Sequence, residues 1–212
     1  SVEVFDKARG PGGRASNKRY VSRLTFDHGV QYITPKSNDF KRFINSMKKN
    51  KVVKEWNGNH LDFLFKKDNN IDKKKYIGTK ANNGICKYLL KNIKQNYFSE
   101  ITKIKYEKNY WIITVNNKQY KYRNLILTCP YPQSIKLAKK YLNKKILNLK
   151  LKMIPNMTVM LAFKNQKHIP LSSIKFNDDI IAWAANENSK NRFKSKINLW
   201  TIQTTVNYSK KI

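Results

Sequence analysis

The segment Val4-Phe5-Asp6 closes an apolar strand with a carboxylate, and after five intervening residues Gly12-Gly13-Arg14 supplies two positions without side chains and one guanidinium. A carboxylate at a strand end can accept both protons of a ribose diol. Bare backbone beside an arginine suits a pyrophosphate, because N–H groups and a planar cation can meet the same oxygens. Each half alone is far more often an ordinary strand end or a plain turn; the combination is much more specific. His28, between Asp27 and Gly29, has the chemistry of a general acid or base and is a weak candidate for a catalytic role. His60 and His168, in lysine-rich surroundings, read as solvated. Cys129 could act as a redox thiol, although a cysteine closing a buried strand is more often an apolar filler. With only Cys86 and Cys129 in the chain, and no metal-like partners near them, neither a disulfide framework nor a metal site is expected.

These residues need elements to hold them. Val2, Val4 and Phe5 predict a strand, and Leu24 begins a second short one. Phe40, Phe43, Ile44 and Met47 recur at helical spacing behind a Ser37 to Asp39 cap, predicting a helix over 38–49. Trp56 and the alternation over 61–65 suggest strands of a second layer, and Ile85, Leu89 and Ile93 suggest a helix over 84–95. Strands follow at 101–104, 110–115 and 118–122, with Asn116-Asn117 as a hairpin turn. Leu125-Ile126-Leu127 reads as a fully buried strand of a parallel sheet, ended by Cys129-Pro130. A helix over 133–142 leads to strands at 157–163, 180–185 and 197–206. In the last, Leu199, Thr201, Gln203 and Thr205 alternate with Trp200, Ile202, Thr204 and Val206, giving an apolar-rich face and a polar one. Trp183 and Trp200 read as core or pocket wall. The order is mixed α/β without internal repeats.

Composition narrows the function classes. Among 212 residues, 40% hydrophobic and 12% aromatic content can build a core, which argues against a disordered chain. No apolar run is long enough for a membrane helix and no leader is visible, so a membrane span is not expected and a cytoplasmic protein is. The net charge of +31 comes from 44 basic and 13 acidic residues. Only seven of the basic residues are arginines, and the lysines are scattered through separate polar intervals rather than set in one stripe. With a matching asparagine excess, this is the composition of a chain from an AT-rich genome. It implies salt-sensitive attraction to anions without base readout, hence no specific nucleic-acid partner. A lysine-rich binding module for nucleic acid or an anionic surface is the competing reading from a different class.

Residues 4–16 and the run Phe-Asp-His-Gly-Val-Gln-Tyr-Ile-Thr at 26–34 resemble the FAD-dependent amine oxidoreductase superfamily, and within it the renalase-like NAD(P)/FAD-dependent oxidoreductases. The likeness continues through 76–78 with 83–89, through 125–133 and through 182–190, in the family's order. It implies a Rossmann-like FAD-binding domain, incomplete here, interleaved with a mixed-sheet substrate domain. The FAD-binding parts would be 1–36 and 76–134, and the substrate-domain parts 37–75 and 135–212. No GxGxxG occurs in the chain; the resemblance places that motif before residue 1 and a final FAD segment after residue 212, so the chain reads as a fragment truncated at both ends, inactive alone.

Residue by residue, the resemblance implies Asp6 on the adenosine ribose, and Gly12, Gly13 and Arg14 along the pyrophosphate and ribityl chain. Arg9 would add a second cation, although the superfamily's arginine falls one residue earlier, where this chain has Ala8. Gly29, Val30 and Gln31 would run past the isoalloxazine, with glycine letting the ring approach the backbone. Ile101 would hold the adenine through its main chain, and Cys129 and Pro130 would end a strand returning to the cofactor. The implied activity is transfer of a hydride from a small reduced substrate to flavin with oxygen as oxidant, the flavin carrying the electron chemistry so that no general base is demanded of His28. A nicotinamide dinucleotide, as dihydronicotinamide isomers, is the implied partner; amines, polyenes and porphyrins are alternatives. Trp183, Asn186, Lys190 and Gln203 are the substrate-contact candidates.

Overall fold

Ser37 opens the longest helix among the described residues, accepting a hydrogen bond from the Phe40 N–H at 3.2 Å. Asp39 in the first turn and Lys48 and Lys49 in the last match the helix dipole at its two ends. Ile44 and Met47 turn inward, so the helix spans Asn38–Lys49, the range that its apolar spacing predicts.

The computed structural model describes residues 1–62, 74–149, 151–164 and 169–212. The first elements in chain order are β1 (Glu3–Phe5), β2 (Lys18–Arg19), β3 (Thr25–Phe26), α1 (Asn38–Lys49), β4 (Val53–Glu55), β5 (His60–Leu61), β6 (Tyr76–Gly78) and α2 (Asn83–Leu89). Next come β7 (Lys94–Asn96), β8 (Ile101–Glu107), β9 (Tyr110–Val115), β10 (Lys118–Tyr122), α3 (Tyr131–Ala138) and α4 (Lys144–Leu147). The chain continues with β11 (Thr158–Phe163), β12 (Ser173–Lys175), β13 (Ile181–Asn186), β14 (Asn198–Thr204) and α5 (Val206–Ser209). The expected strand region beyond Asp62, the lysines at 66, 67 and 73, and His168 lie outside the described residues.

The chain divides into two units, one of residues 1–10 and 93–154, the other of 11–92 and 155–212. In the first, β1 pairs in parallel with β7, and β8, β9 and β10 form an antiparallel meander. The β9–β10 hairpin turns at Asn116 and Asn117, with φ of 48° and 63°, left-handed values that asparagine tolerates and that match the twist of the flanking strands. Ile104, Ile113, Val115 and Ala138 form the core, with Phe5, Leu125 and Leu127 against it.

Two expectations fail for one reason: an apolar run does not choose its own partner. Residues 125–127 are not a strand. Leu125 and Leu127 point at the core, but Ile126 is 84% exposed, and no described strand lies beside the run to complete a ladder. The helix expected over 84–95 stops at Leu89, itself 47% exposed, because Lys94–Asn96 instead pair with β1.

The second unit holds a five-stranded sheet in the order β11-β14-β13-β12-β5, flanked by the pairs β2/β3 and β4/β6. Strand pairing is antiparallel except between β12 and β5. Cross-strand register sets Trp183 opposite Gln203 and Ala185 opposite Thr201, which puts these four side chains on one face. The alternation of β14 predicts a solvated polar face, yet Thr201 is completely buried, because Thr201 bonds to a buried carboxylate described below. His60 is not solvated either: Nδ1 meets the Ser173 hydroxyl at 2.7 Å and Nε2 the Trp56 carbonyl at 3.1 Å.

Candidate functional site

In the first unit, β1 presents Asp6. The Asp6 N–H donates to the Asn96 carbonyl and its own carbonyl accepts from the Ser99 N–H, both at 2.9 Å, so the end of β1 is tied to the chain leaving β7. Oδ1 accepts from the Ala8 N–H at 2.9 Å; Oδ2 has no partner among the described residues and remains open to a ligand. The strand is braced one turn of pleat earlier. Glu3 accepts from the Asn96 amide at 2.8 Å, from the Tyr122 hydroxyl at 2.6 Å and from Lys94 at 2.8 Å, and these bonds, that of Lys94 foremost, hold its carboxyl at about 2. Burial, with the Glu3 carboxylate second, pushes the Tyr122 phenol up.

Arg9 is exposed, without a partner among the described residues. Ile101 is half-buried as the first residue of β8. Cys129 and Pro130 precede α3: the Pro130 carbonyl accepts from the Gln133 and Ser134 N–H groups at 3.0 Å, and the Ser134 hydroxyl donates to the Cys129 carbonyl at 2.8 Å. These bonds account for Cys129 and Pro130 as a helix start, while the strand they were expected to end is absent.

In the second unit, Gly12 and Gly13 have φ of 136° and 47°, backbone that favours glycine, and Arg14 is exposed beside them. A Cβ on Gly13 would meet nothing within 4 Å, so the loop is open on that side. The loop is stitched to the segment 28–31: the Val30 N–H donates to the Arg14 carbonyl at 2.9 Å, and the Ser16 hydroxyl meets His28 Nε2 at 3.2 Å. Gly29 has a reason within the chain to be glycine. A Cβ there would stand 2.0 Å from the Arg14 carbonyl oxygen, so its own chain, with or without a ligand, demands the bare position.

The segment 29–31 is held through its carbonyls, that of Gly29 by the Gln203 amide at 3.0 Å and those of Val30 and Gln31 by the Asn82 amide at 2.6 and 3.2 Å. Against it lies a charged cluster whose side chains are almost wholly buried. Lys190 Nζ is 2.9 Å from Asp27 Oδ2 and 2.9 Å from Glu187 Oε2, and 3.3 Å from the Gln31 side-chain oxygen. Arg192 reaches Asp27 through Nη1, Asn82 Oδ1 through Nη2 at 2.9 Å and the Gly78 carbonyl through Nε at 3.0 Å. Glu187 accepts from the Thr201 hydroxyl at 2.6 Å and the Asp27 N–H at 3.2 Å. Burial by itself would raise the Asp27 carboxyl, but the Lys190 and Arg192 cations outweigh it and hold it below the usual carboxylate range.

Two carboxylates and two cations thus cancel inside the unit, with Lys190 also 5.2 Å above the Trp56 ring. Sequence reasoning did not pick out Asp27, Asn82, Glu187, Arg192 or Thr201. The signal was there: in a chain with 13 acids, Asp27 and Glu187 each directly follow an apolar strand.

Of the expected substrate contacts, Trp183 and Gln203 are cross-strand neighbours on one face. Asn186 is opposite Trp200, and its side chain serves the Ile169 carbonyl and the Asn188 N–H. Lys190 is spent in the buried cluster, which leaves its ammonium no route to a substrate phosphate. His28 Nδ1 and Trp183 Nε1 are buried without a hydrogen-bond partner among the described residues.

The donor set of each unit fits a dinucleotide cofactor: a carboxylate with one open oxygen at the end of a parallel-paired strand, and a glycine loop with open backbone beside a free guanidinium.

Residues 1–47 match an NAD(P)-binding Rossmann-like domain. Among solved structures, a triple mutant of putrescine oxidase, from a redesign of its cofactor binding, is similar over 100% of this chain and 71% of its own, at 8% identity and a TM-score of 0.70. A candidate protoporphyrinogen oxidase from Exiguobacterium sp. 255-15 is similar over 62% of this chain, at 14% identity and a TM-score of 0.52. This chain matches 31% of the length of that protein. At such identities the likeness is one of fold, and the fold is mixed α/β with a Rossmann-like nucleotide-binding segment. No helix among the described residues is long and apolar enough to cross a membrane, and no group of three or more His, Cys, Asp or Glu among them could hold a metal ion.

Proposed function

We propose that this chain is part of a flavoprotein oxidoreductase of the amine-oxidase type with renalase-like chemistry, using FAD. The observation that carries the proposal is Asp6, with its open Oδ2 at the end of a parallel-paired strand, inside the segment that matches a dinucleotide-binding domain. In this reading 1–36 and 76–134 belong to the FAD-binding part, and 37–75 and 135–212 to the substrate part. Asp6 takes the ribose diol, the N–H groups around Gly12 and Gly13 with Arg14 take the pyrophosphate, and Arg9 adds a solvated cation. Ile101 offers its main chain to the adenine, and Cys129 and Pro130 shape the start of α3 beside the cofactor.

FAD, when bound, would supply two-electron acceptance, taking a hydride from a donor C–H bond and passing the electron pair, with two protons, to oxygen as hydrogen peroxide. The chain's own part is orientation. Asn82 and Gln203 fix the carbonyls of 29–31, so the segment passing the ring cannot sag, and the buried cluster under Asp27 fixes it from below. The donor is a small reduced molecule, with dihydronicotinamide isomers as the specific candidate. A second reading is an amine or a porphyrinogen as donor, favoured by the fold likeness to putrescine oxidase and to the Exiguobacterium protein.

The test is expression of the full-length protein. A bound yellow chromophore with a flavin spectrum is the expected outcome. A colourless protein with a steep salt dependence for DNA would support a lysine-rich binding module instead.

A further inference from the structure

We infer that the cleft between β8 and α3 binds single-stranded nucleic acid without sequence preference, holding phosphates along two rows of lysines and unpaired bases on the rings of Tyr106 and Tyr141. The inference goes beyond the oxidoreductase reading and does not depend on it.

The first observation is a gathering of cations that the fold makes from separate stretches of sequence. The cleft has a volume of about 1010 Å³, with Lys103 and Lys105 on one wall and Lys136, Lys139 and Lys140 on the other. Lys103 and Lys105 are two positions apart on β8 and so share a face. The other three stand three and four positions apart on α3 and on the 3-10 turn Lys139–Tyr141 that continues it. The floor is apolar, made of Ile104 and Leu137, and β8 is the edge of its meander, so no described strand covers that wall.

The acids of this unit are Glu3, Asp6, Glu100 and Glu107. Glu3 is taken by Lys94, Glu100 faces Lys7 at 3.9 Å, and Glu107 faces Lys105 at 3.2 Å. Asp6 stands beyond the opposite end of the cleft, next to Lys7. Lys103, Lys136, Lys139 and Lys140 are exposed, without a partner among the described residues. Unpaired ammonium groups on facing walls concentrate a positive field between them, which draws in anions.

The second observation is aromatic. Tyr106 and Tyr141 both line the cleft and are 48% and 42% exposed. Trp111 contacts both, with ring centroids 5.1 and 5.0 Å away, and the Tyr141 hydroxyl accepts from the Tyr106 N–H at 3.2 Å. Two open rings are thus braced among the lysines. Cations that track a phosphate backbone, with aromatic rings on which bases stack, are what a single strand needs. A duplex keeps its bases stacked inside and offers these rings nothing; an acidic peptide brings carboxylates without flat rings, and a bilayer surface cannot enter a concave cleft. No arginine lines the walls, and lysine meets phosphate as a point charge without reading base edges. Lys7 and Ile101, at the end next to Asp6, stay with the proposed cofactor. Tyr106 lies roughly 17 Å further along β8 at the rise of an extended strand.

Fluorescence anisotropy of a labelled oligodeoxythymidine of about 15 residues, titrated with the full-length protein, tests this. The single strand is expected to bind more tightly than a duplex of the same length. Tyr106→Leu and Tyr141→Leu should each weaken binding about tenfold, the loss of one stacked base, whereas Tyr106→Phe, which keeps the ring, should bind as wild type does. Lys139→Gln with Lys140→Gln should flatten the slope of log affinity against log salt by about 1.4, at roughly 0.7 per phosphate contact on a single strand. The same change at Lys49 and Lys80, exposed lysines of the other unit, should leave that slope unaltered. The inference is overturned by a duplex that binds as tightly as the single strand, by a Tyr106→Leu protein with wild-type affinity, or by equal slope changes from the two lysine pairs. Polyglutamate that displaces the oligonucleotide as well as unlabelled strand does, at equal charge, would overturn it too, in favour of an acidic protein partner. The flavin absorbance of the same samples reads the oxidoreductase proposal separately.

Discussion

Lys190 Nζ lies 2.9 Å from Asp27 Oδ2 across 163 positions of chain, and neither side chain has any exposed surface. Together with Glu187 and Arg192 they make a neutral set of four charges. Taking one member away leaves an ion in a medium that cannot solvate it, so single losses cost far more than the set contributes. Lys190→Met should lower unfolding free energy by about 3–5 kcal/mol, and Asp27→Asn by a similar amount. The double variant should recover part of the loss, because Glu187 and Arg192 then balance. Urea unfolding of the three variants measures this, and additive losses in the double variant would refute it.

Acid should act on the first unit through Glu3. Its carboxyl is held at about 2 against an ordinary 4.5, so its contribution is complete above 4.5 and drains away as pH falls towards 2. Asp27, also lowered, adds in the same direction below its ordinary 3.8. Glu3→Gln should be less stable than wild type at pH 7 and should lose less stability between about pH 4.5 and 2. Thermal unfolding across that window, monitored by circular dichroism, would show parallel curves if Glu3 has no such role.

Gly29→Ala and Gly84→Ala form a contrasting pair. At Gly29 the new methyl would sit 2.0 Å from the Arg14 carbonyl oxygen, a backbone atom that cannot swing aside, whereas at Gly84 it would meet nothing within 4 Å. The first should cost about 1–3 kcal/mol by overpacking. The second, inside α2, should be neutral or stabilise by roughly 0.5–1 kcal/mol. Equal midpoints in a denaturant titration would contradict the close approach of the two segments.

Asp6→Ala and Arg14→Ala address the proposed cofactor contacts directly. Each removes a charge-assisted hydrogen bond of roughly 1.5–3 kcal/mol, hence about ten- to a hundredfold in FAD affinity, without touching either core. Flavin content of the full-length protein after dialysis reads the effect. Retention equal to wild type in both variants would show that other residues hold the cofactor.

Where periodicity alone decides a structure, the sequence was legible. The helix at Asn38–Lys49, the Asn116-Asn117 hairpin and the strands Thr158–Phe163, Ile181–Asn186 and Asn198–Thr204 all follow from local pattern and turn chemistry. Where a partner decides, it was not. Leu125 to Leu127 has the composition of a buried strand, yet a strand is a relation between two segments, and composition names only one. Lys190 shows the same limit in the candidate site: one lysine among 37, it reads as a substrate contact until Asp27 and Glu187 are seen closing on it. Asp6 and the Gly12-Gly13-Arg14 loop were visible because their chemistry is local; the orphaned Trp183 indole was not, since satisfaction of a donor depends on everything around it.

The buried quartet of Asp27, Glu187, Lys190 and Arg192 also constrains how this protein can drift over generations. Any single charge change at these positions passes through a form carrying an uncompensated buried ion, so the neutral route runs through joint exchange of an acid and a base. Selection for solubility from a library randomised at the four positions should return either the native set or paired apolar replacements, with one-charge escapes missing; frequent single-charge survivors would mean that water reaches the cluster and that these four sites evolve independently.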